Sequence, residues 1–129
     1  MTNPSFLNPP EIHVPGGYSH AVTVSGQLLI VSGQVAFDKD RKIVGNGDFE
    51  AQAVQAFENV RCILAAAGAR FDNVVRLGAF LTDRKYLPVF REVRARYFSG
   101  SMPASTAVIA GLILPELLVE IEATAQLPG

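Results

Sequence analysis

Two glutamates near the end of the chain have carboxylates that could act in catalysis, and they are two residues apart. Glu120 and Glu122 belong to the segment Leu117–Gln126, in which apolar and polar residues largely alternate. Because successive side chains of a strand point to opposite faces, both carboxylates are expected on one face. A carboxylate in a sheltered cleft can deprotonate an attacking water and return a proton to a leaving group. Two solvated residues of an edge strand would show the same pattern, so the spacing leaves both interpretations open.

Three residues in the first part of the chain are candidates for contact with a small ligand. Ser32 and Gly33 lie near the end of an apolar segment that starts at Leu28, where a glycine lets the backbone approach a ligand closely. A β-bulge would explain this glycine equally well. Tyr18 could cover a ligand and hydrogen-bond to it, or its ring could pack against the core with the hydroxyl group in water.

The cysteine and the two histidines do not form a recognisable catalytic or metal site. Cys62 lies in an apolar helical segment with no histidine at helical spacing, so we expect a buried side chain rather than a nucleophile. His13 and His20 share no metal-ligand spacing, and no catalytic triad can be assembled. We therefore expect no metal, and both histidines on the surface.

The elements that must position these residues begin with an arm and a predicted hairpin. Four prolines in Met1–Gly17 predict an extended arm over the surface. Two apolar segments, Ala21–Val24 and Leu28–Val31, flank Ser25-Gly26-Gln27 and predict two strands joined by a tight turn. Val35–Phe37 could extend the sheet.

The rest of the chain predicts two helices and three further strands. Pro88 is compatible with the second predicted helix, Arg84–Phe98, only because it falls in the first turn of that helix. The order ββ(β)αβαββ indicates an α+β fold, a mixed sheet with both helices on one face. The other face then needs a cover, and a second copy of the chain is the best candidate. The predicted elements are a helix from the N-cap Asp48 to Gly68, a strand at Val74–Leu81, a helix at Arg84–Phe98, and strands at Ser105–Ala110 and Leu117–Gln126.

Composition limits the classes of function. A chain of 129 residues with 49% hydrophobic and 18% charged residues fits one packed domain, residues 1–129. The net charge of −1 and the absence of a basic cluster argue against nucleic acid and membrane surfaces as partners. One cysteine permits no intrachain disulfide, and the start of the chain lacks the features of a signal peptide. We expect a cytoplasmic protein.

Four local motifs occur in an order and at separations typical of one family. Together they resemble the RidA (reactive enamine/imine deaminase) family, and the resemblance extends from about Tyr18 to Gln126. The motifs are Pro15-Gly16-Gly17-Tyr18-Ser19, Val31-Ser32-Gly33-Gln34-Val35, Gln55-Ala56-Phe57-Glu58-Asn59-Val60 with Ala65-Ala66-Ala67-Gly68, and Val119-Glu120-Ile121-Glu122-Ala123.

The resemblance implies a fold, an assembly and a reaction. It implies a chorismate-mutase-like fold and a homotrimer whose sheets form a central barrel, with ligand clefts between adjacent subunits. Members typically hydrolyse enamines and imines such as 2-aminoacrylate to the 2-keto acid and ammonia, with no cofactor or metal. Carried over to matching positions, the family site corresponds to Tyr18, Ser32, Gly33 and Glu120.

The sequence departs from the family where the substrate carboxylate is bound. The family has an arginine after a Pro-Ala pair in the penultimate strand, and Ser105 occupies that position here, followed by Thr106 and Ala107. Serine provides neither the charge nor the two-pronged geometry of a guanidinium group. By position, all three residues are expected to line the cleft. Arg91, where members often have asparagine, is either a relocated anchor or an exposed arginine of an amphipathic helix.

Two functional hypotheses follow. In the first, the protein hydrolyses or tautomerises a small enamine, imine or related carbonyl compound other than 2-aminoacrylate, and Glu120 transfers the proton. In the second, the cleft between subunits binds a small molecule without turnover, as a regulatory site. The retained Glu120, Tyr18 and Gly33 favour an enzyme, whereas the loss of the arginine favours binding alone or a changed substrate.

Overall fold

A four-stranded mixed sheet organises the chain in the computed structural model, which describes residues 2–129. Its strand order is β3-β6-β4-β5, with β4 and β5 parallel and the other neighbours antiparallel. A small separate sheet pairs β1 with β2. The strands are β1 (Ser5–Leu7), β2 (Ala21–Thr23), β3 (Leu28–Gln34), β4 (Val74–Leu81), β5 (Ala104–Ile109) and β6 (Val119–Gln126).

Helix α1 (Phe49–Ala66) forms where the sequence predicts it. Asp48 caps its start by accepting a hydrogen bond from the backbone N–H of Ala51 at 3.1 Å. Gly68 follows its end with φ +73°, the left-handed conformation that glycine adopts without strain. Helix α2 (Leu87–Ala95) is shorter and carries its proline in the first turn. Of the helices in residues 2–129, none is both long and apolar enough to cross a membrane.

The apolar face of α1 covers one face of the sheet around a cluster of aromatic rings. The Phe57 ring lies 4.7 Å from Tyr97 and 6.1 Å from Phe90, centroid to centroid. The Tyr97 hydroxyl donates to Glu58 Oε2 at 2.8 Å. Burial of the phenol, and then this hydrogen bond, raise the pKa of Tyr97 to about 12. The phenol therefore stays protonated and packs as part of the core.

Gln52 is a buried polar residue whose hydrogen bonds join three segments. Its side chain is 0% exposed. Its Nε2 group donates to the carbonyl oxygens of Gly45 at 3.2 Å and Glu116 at 3.0 Å, and its Oε1 accepts from the N–H of Leu118 at 2.9 Å. The amide thus connects α1 to the loop before it and to the segment that leads into β6.

Two residues of the Gln55–Val60 motif form hydrogen bonds that support the fold. Asn59 Nδ2 donates to the carbonyl oxygens of Val35 and Phe37, both at 3.0 Å. Its Oδ1 accepts from Gln55 Nε2 at 2.8 Å. This motif therefore holds the chain that leaves β3 against helix α1.

The opposite face of the sheet remains open. Leu28, Ile30 and Val108 are 40%, 72% and 43% exposed, and they share this face with Glu120 by register. The predicted arrangement, with helices on one face and an apolar face left uncovered, is therefore confirmed for the described residues.

The predicted hairpin is wrong. Strand β2 pairs with β1, a strand inside the predicted arm, and β3 pairs with β6. The turn between β2 and β3 is bound elsewhere, because the N–H of Ser25 donates to Gln126 Oε1 at 2.9 Å. The arm is thus not purely irregular, and its Met1 lies outside the described residues.

Three other expectations need correction. Val35–Phe37 lies beyond β3, and Phe37 forms only an isolated bridge with Ile43. The predicted helix Arg84–Phe98 begins as a 3-10 turn and continues as α2, ending at Ala95. Cys62 is exposed rather than buried, because it lies on the side of α1 that faces away from the sheet.

The contacts of Gln52 generate a stability prediction. Gln52→Leu keeps the volume but removes three hydrogen bonds, and the N–H of Leu118 and the carbonyl oxygen of Glu116 lose their side-chain partner. We expect a loss of about 3 kcal/mol in the free energy of unfolding, measured by urea denaturation. Gln27→Leu, at an exposed position, is the control and should change stability by less than about 0.5 kcal/mol. Equal stability of both variants would contradict a structural role for the buried amide.

Candidate functional site

Glu120 and Gly33 meet across a β-bulge. The register of β3 against β6 shifts between Val31 and Gln34, so Ser32 and Gly33 occupy the bulge. A Cβ atom placed on Gly33 would collide with Glu120 Oε2 and lie 2.8 Å from its carboxyl carbon. The glycine is thus both a bulge residue and the place where the Glu120 carboxylate approaches the backbone.

The two glutamates of β6 differ in their partners. Glu122 Oε2 lies 3.3 Å from Arg76 Nη1, and Gly78 leaves the room that this pair occupies. The half-buried Glu120 carboxylate has no hydrogen bond or ion pair with any residue of 2–129. Glu120 is therefore the carboxylate available to a water molecule or a ligand.

Tyr18 contacts a residue that the sequence did not single out as a partner. Its hydroxyl is hydrogen-bonded to His13 Nε2 at 2.7 Å, and His20 Nε2 donates to the His13 carbonyl oxygen at 2.7 Å. The two imidazole rings lie edge to face, 4.6 Å apart. No spacing rule indicates this contact, because the arm folds back irregularly. Within residues 2–129 no three acidic, histidine or cysteine side chains are grouped as metal ligands.

The residues of β5 divide between the two faces of the sheet. Ser105 is aligned with Leu77, whose side chain lies in the core, so Ser105 points toward the helices. Thr106 points to the open face. Ala107 lines an apolar hollow of about 230 Å³ with Leu81 and Leu87. A larger hollow of about 620 Å³, where the two chain ends meet, contains none of the predicted site residues.

The segment around Tyr18 lies between the start of β5 and the second half of α2. The N–H of Ser19 donates to the Pro103 carbonyl oxygen at 2.9 Å. On the other side, a Cβ atom on Gly17 would lie 2.6 Å from Arg94 Nη2. We call this region, defined by Gly17, Tyr18, Ser105 and Arg94, the arm–helix corner. Arg91 lies on α2 one turn before Arg94 and is exposed.

Within one chain, Glu120 and the arm–helix corner do not meet. Glu120 is aligned with Phe80 and so lies on the open face, whereas Ser105 points to the helix face. Gly33 and Ser105 are on opposite edge strands, three strand spacings or about 14 Å apart. The structure thus groups Ser32, Gly33 and Glu120 at one edge, and Tyr18 with Ser105 at the other.

Comparison with known proteins gives consistent matches over most of the chain. The family model described as Endoribonuclease L-PSP matches residues 10–127. Protein DfrA of Myxococcus xanthus is 40% identical over 111 residues, 85% of each chain. A RutC family protein of Pyrococcus horikoshii is 36% identical over 110 residues, which cover 85% of this chain and 86% of the relative.

Solved structures have the same architecture. A Rid-family protein of Yersinia pestis superimposes with a TM-score of 0.87 at 37% identity, covering 98% of this chain and 100% of that one. RidA of an Antarctic Psychrobacter species superimposes with a TM-score of 0.73 at 35% identity, covering 89% and 92% of the two chains.

The contact between Gly33 and Glu120 can be tested by a substitution that adds one methyl group. Gly33→Ala should force the Glu120 carboxylate into another rotamer, because the added Cβ atom occupies its position. A crystal structure of the variant would show the displacement. Gly111→Ala is the matched control, since a Cβ atom there meets nothing within 4 Å. An unmoved carboxylate in Gly33→Ala would show that the backbone can yield instead.

Proposed function

Since the chain belongs to the RidA family and has its chorismate-mutase-like α+β fold, we propose that it hydrolyses or tautomerises a small enamine, imine or related carbonyl compound. The observation that carries this proposal is the Glu120 carboxylate, half-buried against Gly33 and unpaired within residues 2–129. We further propose that Tyr18, Ser32, Gly33, Ser105, Thr106, Ala107 and Arg91 line the substrate cleft.

In the proposed hydrolysis, Glu120 acts as base and then as acid. The carboxylate takes a proton from water as the oxygen bonds to the imine carbon and passes this proton to the nitrogen, which gives a carbinolamine. It then transfers the hydroxyl proton of the carbinolamine to the nitrogen as the C–N bond breaks, and ammonia and a carbonyl compound are released. An enamine substrate would first accept a proton on carbon to become the imine. One carboxylate suffices for these transfers because water supplies both the oxygen and the protons.

The charge of the protein supports a small molecule rather than RNA. The name of the matching family model refers to RNA cleavage. A net charge of −1, with 11 basic and 12 acidic residues, provides no overall attraction for a polyanion. Ser105 in turn supports a substrate other than 2-aminoacrylate, because its hydroxyl group offers no charge to a carboxylate. We propose that this reaction takes place in the cytoplasm, without a cofactor.

A homotrimer would bring the two parts of the site together. The open sheet face carries Leu28, Ile30 and Val108 in contact with solvent, and burial of such a surface is favourable. The edge strands β3 and β5 carry different halves of the predicted site. In a ring of subunits, the β3 edge of one chain would lie beside the β5 edge of the next. We therefore propose that each cleft combines Glu120 of one subunit with the arm–helix corner of its neighbour.

Binding without turnover is the second candidate, and the observation that favours it is Ser105. Without an arginine at this position, the cleft holds a substrate carboxylate less firmly in the orientation that catalysis requires, whereas binding alone has no such requirement. Both candidates require the same assembly, and they differ in whether Glu120 changes a rate or only an affinity.

The assembly generates the next prediction. Light scattering should give a mass near three times the 13.8 kDa of the chain. Ile30→Asp would place a charge on the open face, where desolvation opposes assembly, and should yield a folded monomer. Val14→Asp, at a 91% exposed position outside the sheet, should remain trimeric. A wild-type monomer at micromolar concentration would remove the proposed cleft.

Catalysis is tested by Glu120→Gln. The exchange is nearly isosteric but removes the base, so hydrolysis of imines generated by an amino-acid oxidase should slow by about a hundredfold, at unchanged melting temperature. Glu122→Gln is the matched control, on the same strand and face, and should retain turnover because Glu122 is paired with Arg76. Unchanged turnover in a folded Glu120→Gln trimer would exclude Glu120 as the catalytic group. If the wild type itself accelerates no hydrolysis, binding alone is the function.

A further inference from the structure

Arg94 is a half-buried arginine whose guanidinium group has no hydrogen bond or ion pair within residues 2–129. Four other arginines, Arg61, Arg70, Arg76 and Arg96, each pair with a carboxylate. Removing a charge from water without a partner is unfavourable, and proteins usually compensate for it. The environment of Arg94 therefore lacks an anion.

The surroundings of Arg94 make the charged form of its guanidinium group less favourable. Arg91 lies one turn earlier on α2 and adds a second positive charge near the Arg94 guanidinium group. Burial first, and the positive charge of Arg91 second, lower the pKa of Arg94 below its ordinary value. A bound anion would offset both effects.

The position of this guanidinium group is fixed by its contacts. Its Cζ atom lies 5.7 Å from the centroid of the buried Phe90 ring. Its Nη2 atom lies against Gly17, which has φ +80° and no room for a Cβ atom. Gly17 thus meets two requirements at once, the backbone turn and the approach of the arginine.

A short segment of the arm connects Arg94 with the strand in which the family arginine is missing. Ser19 pairs with the start of β5, one residue before Ser105. The Cα atoms of Gly17 and Ser19 can be at most about 7 Å apart. Arg94 and Ser105 therefore lie on the helix side of the sheet and beside the same segment of the arm.

We propose that Arg94, with Arg91 beside it, binds the negatively charged group of the substrate, most simply a carboxylate, at the arm–helix corner. The planar guanidinium group can donate two parallel hydrogen bonds to such a group. This inference rests on the proposed function where it calls the bound molecule a substrate. The binding of an anion by Arg94 does not depend on that function. It assigns the anchor to Arg94 on α2, rather than to Arg91 alone or to a residue of β5.

Binding of pyruvate and of methyl pyruvate by the trimer tests the anchor, because the two compounds differ chiefly in charge. The wild type should bind pyruvate more tightly in ligand-observed NMR titrations. Arg94→Met should weaken pyruvate binding by about tenfold to a hundredfold and leave methyl pyruvate unchanged. Arg96→Met is the matched control, at the position directly after the same helix. Because Arg96 pairs with Glu50 at 2.8 Å, this variant should bind like the wild type. Ser105→Arg added to Arg94→Met should restore pyruvate binding.

The outcomes separate this inference from the proposed reaction. If Arg94→Met selectively weakens pyruvate binding but the wild type hydrolyses no imine, the anchor stands and the catalytic proposal fails. If hydrolysis occurs but wild type and Arg94→Met bind pyruvate equally, the anchor is wrong. A loss of trimer in Arg94→Met with unchanged pyruvate affinity would assign Arg94 to a subunit contact and also overturn the anchor. No saturable binding of pyruvate by the wild type would overturn it as well.

Discussion

The packing of α1 on the sheet through Phe57 is the contact on which the other features depend. It uses the apolar face of the helix and the matching face of β3 and β6, so the middle of one surface of the sheet is covered. The polar contacts of Gln52 and Asn59 hold the loops at both ends of this contact. The second surface and both edge strands remain available to other molecules. The position of the candidate site follows from this division.

Elements with local signals were predicted well from the sequence. Helix α1 has a side-chain cap, a periodic apolar face and a glycine in the left-handed conformation, and each of these signals is contained in the helix or next to it. The strands β4, β5 and β6 were located to within about two residues. In each case the sequence pattern and the tertiary contacts favour the same structure.

The hairpin failed because its partners are distant in sequence. A strand of three residues between prolines, Ser5–Leu7, is too short to show alternation, yet it is the one that pairs with β2. The turn at Ser25 is held by Gln126, 101 residues later. Such a contact replaces the local one without leaving any periodic signal. The contact between His13 and Tyr18 spans only five residues, and it left no signal because the arm is irregular there.

In the candidate site, too, the sequence pattern could not predict contacts between different strands. Alternation predicted that Glu120 and Glu122 share a face, but it could not distinguish them, because Arg76 and Gly33 belong to other strands. The structure adds the distinction: one carboxylate is neutralised and the other is left open beside a bulge.

The separation of the site into two edges has a consequence for specificity. The carboxylate proposed for catalysis depends on Gly33 and β6, whereas the charge proposed to bind the substrate depends on α2 and the arm. Within one subunit, a change at the arm–helix corner leaves the contacts of Glu120 unaltered, because no residue of the corner touches it. An arginine can then disappear from β5 while another on α2 faces the same corner, since a ligand responds to the position of the charge and not to the element that carries it. On this reasoning, substitutions in α2, β5 or the arm can alter substrate choice while the contacts that position Glu120 within its own subunit stay the same.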